Sequence, residues 1–126
     1  MTLVLDSGAL IALERNDRSM WRRMKAALLA GNVPASHAGV VGQAWRGRGA
    51  RQALLAKALD GIDVRALDER LGRAAGELLA RAGSADVIDA ALVLLADDGD
   101  DIVTADIDDF ELLAALLGRH VELLRV

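Results

Sequence analysis

Residues 100–111, DDIVTADIDDFE, contain a short apolar run with acidic residues on both sides. The run DIVTA (101–105) is rich in β-branched residues and short enough to be a buried strand, and IDDFELLAALLGR after it has helical character. Two acids precede Ile102 and three fall within the four residues after Ala105. Carboxylates this close repel one another, so the acidic residues around the strand end require an explanation such as a bound cation.

The same order of strand and then helix recurs along the chain. Short apolar runs predict strands at 2–6, 62–68, 101–105 and 120–126, and a short strand or a connector at 32–36, with helical patterns between them. Ser36, Asp68 and Ser84 are predicted to cap the helices that follow them. Alternating strands and helices favour a parallel sheet with helices on both faces. The sequence therefore predicts a single α/β domain over residues 1–126, a three-layer α/β/α arrangement with a central parallel β-sheet.

Composition limits the class of protein. Hydrophobic residues make up 53% of the 126 residues and aromatic residues only 2%, so the core must be aliphatic. The absence of cysteine excludes disulfides and thiolate metal sites. The first residues lack the pattern of a signal peptide, and no stretch reaches the roughly 18 apolar residues that span a bilayer. We therefore expect a soluble, cytoplasmic protein that does not insert into a membrane.

Charge is distributed unevenly along the chain. Residues 1–83 carry 13 basic and 8 acidic side chains, whereas residues 84–126 carry 2 and 11. This division fits either a basic surface for a polyanion beside an acidic metal pocket, or two differently charged solvated faces. Two basic clusters stand out, and each can contact a phosphate backbone or remain a solvated helix face. They comprise Arg15, Arg18, Arg22, Arg23 and Lys25, and Arg46, Arg48 and Arg51.

Three aspartates are candidates for a shared site. Asp6 and Asp106 each follow an apolar strand, where either can also serve as an ordinary helix cap. Ligands bind beyond the carboxyl ends of the strands in open parallel sheets, so these two side chains are expected to be close together. Asp89 lies within the apolar run DVIDAALVLLA, past the predicted first helical turn, where a buried carboxylate needs a cation, a proton or hydrogen-bond donors. Asp86 lies three residues earlier on the same helix face.

Such a cluster matches the ligands of a hard divalent cation. Mg²⁺ prefers oxygen ligands and typically binds a few carboxylates while it keeps several waters. A metal held in this way can activate water and stabilise the charge that develops during phosphodiester hydrolysis. The acidic residues around the strand ends therefore predict a metal site.

Four segments together resemble the PIN-domain family, and more narrowly the VapC-type ribonuclease toxins of bacterial toxin–antitoxin pairs. They are VLDSGALIAL, VVGQAWRG, DVIDAALVLLA and IVTADIDDF, which occur in the family's order from Val4 to Phe110. The resemblance implies that Asp6, Asp89 and Asp106 hold Mg²⁺ or Mn²⁺. Several further side chains fall close to the metal-binding positions of the family: Ser7, Asp86, Thr104, Asp108 and Asp109.

The resemblance also implies an activity and partners. It implies a metal-dependent endoribonuclease that cleaves RNA and acts as a toxin unless a cognate antitoxin blocks it. Gln43 is a departure, because the family usually places a glutamate there as part of the catalytic site. An amide oxygen can ligate a cation or orient water, but it carries no charge and cannot act as a base. The alternative is a catalytically weak or silent PIN-fold binding module.

Two further expectations concern other classes and assembly. A phospho-acceptor receiver domain also gathers aspartates at strand ends, but it usually has a second acid beside the first and a lysine after a late strand. Here Ser7 follows Asp6, and no lysine occurs after Lys57. The high apolar fraction, and the residues Met20, Trp21 and Met24 in the N-terminal amphipathic helices, predict a homodimer that also binds an antitoxin peptide.

Overall fold

A computed structural model describes all 126 residues and contains one sheet of five strands. Every neighbouring pair of strands is parallel, and the strand order is β3-β2-β1-β4-β5. The strands are β1 (Leu3–Leu5), β2 (Ala35–His37), β3 (Asp63–Arg65), β4 (Asp101–Thr104) and β5 (Glu122–Arg125). The predicted parallel sheet is confirmed.

Seven helices connect the strands and cover the sheet. They are α1 (Ser7–Glu14), α2 (Arg18–Leu29), α3 (Ala38–Ala44), α4 (Ala50–Leu59), α5 (Glu69–Ala82), α6 (Val87–Val93) and α7 (Ile107–Leu117). Helix α1 packs against α2, α3 and α4, whereas α5, α6 and α7 pack against one another. The two groups make the outer layers of the predicted α/β/α arrangement, which is also confirmed.

The centre of the sheet explains the composition of the strands. Strand β1 lies between β2 and β4, and all three residues of its sequence LVL are buried. A strand with helices on both faces has no solvent side, so it shows no alternation of apolar and polar residues. The core is aliphatic as expected, with Phe110 as its one fully buried aromatic side chain.

Two of the predicted helix caps are wrong. Ser36 lies within β2 and its hydroxyl donates to the carbonyl of Leu5 at 2.8 Å, so His37 caps α3 instead. Ser84 does not cap α6, because that helix begins later and Asp86 accepts a hydrogen bond from its first turn. The sequence offers several polar residues before each helix, and tertiary hydrogen bonds select among them. The predicted cap at Asp68 is confirmed.

The parallel strands bring several loops to one edge of the sheet. Asp6 lies between the carboxyl end of β1 and α1, and Asp106 lies between β4 and α7. At the carboxyl end of β2, α3 begins immediately after His37. Side chains at these three junctions therefore lie at the same end of the molecule. No helix combines the length and the apolar stretch that crossing a membrane would require.

Candidate functional site

Asp6 ties the ends of the two central strands together. It is only 6% exposed, and its Oδ1 accepts a hydrogen bond from the amide of Ala9 at 2.9 Å, which caps α1. Its Oδ2 accepts from the amide of Ala105, just past β4, at 3.3 Å. A carboxylate that accepts two backbone hydrogen bonds is fixed in position. Asp6 is therefore both the helix cap that the sequence allowed and a fixed carboxylate at the edge of the sheet.

Gly8 permits this close approach of α1 to β4. A Cβ atom at this position would lie 2.9 Å from the Cβ of Ala105 and 3.2 Å from Oδ1 of Asp6. Both distances are shorter than ordinary contacts, so a larger residue would push the helix away from the strand. The glycine keeps the Asp6 carboxylate within reach of the Ala105 amide.

Asp89 lies at the amino-terminal end of α6 and is half-buried. The expectation that it lies past the first turn of the helix is wrong, because α6 begins at Val87. The amide of Asp89 donates to Oδ1 of Asp86 at 3.1 Å. The two carboxylates are therefore close, on a short helix whose following four residues are buried.

The surroundings of Asp89 disfavour its charged form. Burial, together with the nearby carboxylates of Asp86, Asp6 and Asp109, raises the pKa of Asp89 to about 7. Every contribution to this shift is unfavourable to the carboxylate, and no lysine or arginine opposes it. The four aspartates thus form a cluster of negative charge that the protein itself does not neutralise, and we call it the acidic cluster.

A hollow of about 280 Å³ opens beside the acidic cluster. Asp86 and Asp89 line one side of it, and Asp108 and Asp109 in the first turn of α7 line another. Ser84 completes the polar part of the lining. The two acids after Asp106 thus approach α6 across this hollow, which the sequence alone did not indicate.

Asp106 has a different environment from the other acids. It occupies the N-cap position of α7, yet its side chain makes no capping hydrogen bond and is exposed. Its amide donates to Oγ1 of the buried Thr104 at 2.8 Å, so the hydroxyl holds the backbone at the end of β4. Asp106 does not contribute to the pKa shift of Asp89.

The geometry and the chemistry of the cluster differ in what they indicate about a metal. No three Asp, Glu or His side chains are arranged to hold one ion in this structure. The donor set is nevertheless the oxygen-rich, uncompensated type that hard divalent cations prefer. The carboxylates near Asp89 repel one another, and a divalent cation would relieve that repulsion. The residues fit a divalent metal ion.

Gln43 lies near the end of α3, and its side chain is exposed. The helix follows its N-cap His37, the last residue of the strand next to β1, and ends at Ala44. The side chain is thus not buried among the aspartates, and it does not line the hollow beside them.

His37 is a residue whose importance the sequence did not reveal. It is fully buried at the end of β2, where Nδ1 accepts from the amide of Gly39 at 3.0 Å. Nε2 lies 2.9 Å from the carbonyl of Ile88 and therefore donates to it. Burial lowers the pKa of His37, consistent with a neutral ring. The ring connects β2 to the backbone next to Asp89, and its place directly after a strand was the signal that could have identified it.

Gln52 is a second residue that the sequence did not single out. This side chain is 6% exposed, and its Oε1 accepts from the amides of Arg46 at 2.7 Å and Gly47 at 2.9 Å. Its Nε2 donates to Oε2 of Glu14 on α1. Gln52 thus fixes the loop that carries Arg46, and no sequence motif distinguishes it from other glutamines.

Comparison with known proteins supports the fold. No family model matches the sequence, and no curated protein matches it either. Among solved structures, the chain resembles one from the crystal structure of VapBC2 from Rickettsia felis bound to a DNA fragment from their promoter, with a TM-score of 0.70. The match covers 98% of each chain at 15% sequence identity. At this identity the likeness shows the fold alone, and it agrees with the three-layer α/β/α PIN-like fold that the sequence predicts.

Proposed function

We propose that this protein is a metal-dependent endoribonuclease and the toxin of a toxin–antitoxin pair. The observation that carries the proposal is the half-buried carboxyl of Asp89, near Asp6, Asp86 and Asp109 and with no lysine or arginine acting on it. Charging a half-buried carboxyl beside other carboxylates is costly, and a bound divalent ion would offset that cost. The cluster lies at the carboxyl edge of a parallel sheet, which is where such folds bind their ligands.

Asp6, Asp89 and Asp106 would hold Mg²⁺ or Mn²⁺. When bound, the ion supplies an activated water and stabilises negative charge on the phosphate and the leaving oxygen. Asp6 orients one carboxylate through its two backbone hydrogen bonds. Thr104 holds the chain at Asp106, and His37 holds the backbone next to Asp89. The exposed Asp106 side chain completes the set by rotating toward the other two.

The toxin role and the antitoxin partner rest on the likeness in fold to a chain of VapBC2. Exposed apolar side chains support association with other chains, since contiguous exposed apolar surface commonly marks an interface. Leu29, the last residue of α2, is 83% exposed. Val33, in the segment that follows the helix, is 52% exposed. We propose a homodimer, and sedimentation at tens of micromolar tests it. A monomer at that concentration contradicts the homodimer and leaves the nuclease proposal unaffected.

A second candidate function is a PIN-fold binding module without nuclease activity. The specific observation in its favour is the neutral, exposed Gln43 at the position where the family usually has a glutamate. In this case the acidic cluster would bind a cation without catalysing hydrolysis. Metal-dependent stabilisation without cleavage would be its signature.

Incubation of the purified protein with single-stranded RNA, with Mn²⁺ or with EDTA, tests the proposed function. Cleavage that requires Mn²⁺ and disappears in Asp89→Asn, purified in parallel, supports the nuclease. The parallel variant excludes a contaminating ribonuclease, which would act equally in both preparations. RNA that stays intact in every condition contradicts the nuclease and favours the binding module.

A further inference from the structure

A second hollow, of about 340 Å³, lies on the surface between α2 and α4. Four cations line it: Arg18, Arg22 and Lys25 from α2, and Lys57 from α4. No acidic side chain contributes to its lining. We call it the basic hollow.

The cations of the basic hollow have no anionic partner within the protein. The ion pairs of the structure are Arg65 with Asp63 and Arg73 with Glu69, and none involves α2 or α4. Like charges that converge on a concave surface reinforce one another's field and raise the local concentration of anions. An extended polyanion satisfies all four side chains at once, which a single carboxylate does not.

The base of the basic hollow is held in a defined shape. The indole of Trp21 is half-buried, and its Nε1 donates to the carbonyl of Leu13 at 3.0 Å. Nζ of Lys57 lies 6.0 Å from the centroid of the Trp21 ring, at the limit of a cation–π contact. Asn16, with φ of 60°, makes the tight turn between α1 and α2 and completes the lining. The cations are therefore presented from a rigid base.

A groove of about 510 Å³ lies along α1 between the two regions. Gly8 and Ala105, which are close to Asp6, line it near the acidic cluster. Arg15 and Asp17 line it at the turn between α1 and α2, where Asn16 and Arg18 line the basic hollow. The eight residues of α1 span about 12 Å at roughly 1.5 Å per residue, which is the approximate separation between Asp6 and the turn at Asn16. That separation corresponds to a few nucleotides of a single strand.

We propose that the basic hollow binds the phosphodiester backbone of a single-stranded RNA a few nucleotides away from the bond that lies at the acidic cluster. The inference rests on the proposed nuclease function for the position of that bond. The groove along α1, which runs from the residues beside Asp6 to the turn at the basic hollow, favours RNA over an acidic peptide as the occupant. A flexible single strand can pass from one region to the other, with affinity that depends strongly on salt.

The test compares two double variants that each remove two exposed positive charges one helical turn apart. Arg22→Ala with Lys25→Ala alters the basic hollow, and Arg70→Ala with Arg73→Ala on α5 is the matched control. Binding of a fluorescent single-stranded RNA of about twelve nucleotides is measured by anisotropy in EDTA, between about 50 and 200 mM salt. EDTA prevents metal-dependent cleavage, so the measurement reports binding alone.

Each phosphate contact on a single strand contributes about 0.7 to the slope of log affinity against log salt. We expect the α2 variant to lower that slope by about 1.4 and to weaken binding about tenfold at low salt, whereas the control stays near wild type. Equal slopes for the two variants would overturn the proposal, as would an absence of RNA binding by the wild type. Arg22→Gln with Lys25→Gln, which keeps much of the aliphatic stems, replaces the alanine variant if its melting temperature falls.

Two further measurements separate this inference from the proposed function and from a protein partner. If RNA is cleaved in Mn²⁺ but the α2 variant and the control have equal salt slopes, the nuclease proposal stands. The basic hollow then does not bind the RNA substrate. A lowered slope in the α2 variant without cleavage in Mn²⁺ supports RNA binding and contradicts the nuclease. A glutamate-rich peptide tests for a protein partner. The proposal is overturned if this peptide binds the wild type but not the α2 variant, while RNA binds both proteins equally. The basic hollow would then be a protein-docking site.

Discussion

The acidic cluster and the basic hollow both gather like charges, but they differ in burial. Asp6 is almost completely buried and Asp89 half-buried, whereas Arg22 and Lys25 are exposed. Repulsion between buried carboxylates is only weakly screened, so it shifts protonation and favours a compact divalent ion. Repulsion between exposed cations is screened by salt, so it favours an extended polyanion whose binding depends on ionic strength. Burial thus determines which kind of counter-ion each region selects.

The largest effect is expected from removing a carboxylate of the acidic cluster. Asp6→Asn and Asp89→Asn should each lower metal-dependent RNA cleavage by about 100-fold or more, because charge stabilisation at a buried site is lost. Initial cleavage rates at saturating Mn²⁺ measure the effect. Glu77→Gln, an exposed acid on α5, is the control and should retain the wild-type rate. Wild-type rates in both aspartate variants would remove the cluster from catalysis.

Metal should stabilise the fold through the same cluster. A ligand that binds only the folded state adds about 2.7 kcal/mol to the free energy of unfolding at a hundred times its dissociation constant. Thermal melting with and without Mn²⁺ should show this gain in the wild type and in Glu77→Gln. The double variant Asp6→Asn with Asp89→Asn should show no gain, and an equal gain there would contradict a shared metal site.

The pH dependence of the metal-free protein provides a test of burial itself. The pKa of Asp89 is raised from 3.8 to about 7 in the folded state, so folding binds a proton between these values. Its contribution to stability is complete below pH 3.8 and is lost as the pH rises through about 7. One pKa unit corresponds to about 1.4 kcal/mol, and solvent screening of the half-exposed group leaves about 1–2 kcal/mol in total.

Asp89→Asn should therefore be more stable than the wild type at pH 8 by about 1–2 kcal/mol in EDTA. The difference should diminish as the pH falls toward 4, since both side chains are then uncharged. Denaturant unfolding at several pH values measures it. A stability difference that does not change with pH would mean that the Asp89 carboxyl does not titrate with folding.

The smallest effect is expected at Gln43, which is exposed on α3. Gln43→Glu adds one negative charge and should tighten Mn²⁺ binding by about 1 kcal/mol, or roughly fivefold, as expected for a solvent-screened charge. It should also raise cleavage at limiting metal and slightly destabilise the metal-free protein. Calorimetric titration of Mn²⁺ into both proteins measures the affinity. Identical affinities would place Gln43 outside the site and leave the three aspartates to hold the metal.

Much of the fold was predictable from local patterns. The five strands, the seven helices and the parallel sheet follow from the alternation of short β-branched runs with helical periods. Helix caps were less predictable, since Ser36 donates to Leu5 across the sheet and leaves the cap of α3 to His37. A pattern limited to neighbouring residues contains no information about a hydrogen bond between strands 31 residues apart.

The candidate site divides in the same way. The chain order alone indicated Asp6, Asp89 and Asp106, because each stands out against an apolar strand or helix. Helix spacing placed Asp86 beside Asp89, and the resemblance placed Asp109 nearby, but neither indicated that the pKa of Asp89 is raised or that Asp106 remains exposed. Those relations depend on distances between α6, α7 and the ends of two strands, and the packing of the helices sets those distances.

By itself, the sequence determined the fold class, the aliphatic core and the separation of charge between residues 1–83 and 84–126. The tertiary structure decided which acids are buried together, which carboxylate has a raised pKa, and which cations converge on a hollow. The physical reason is the range of the interactions. Hydrophobic periodicity acts over one or two turns of chain, whereas burial and Coulomb repulsion depend on groups that only folding brings together.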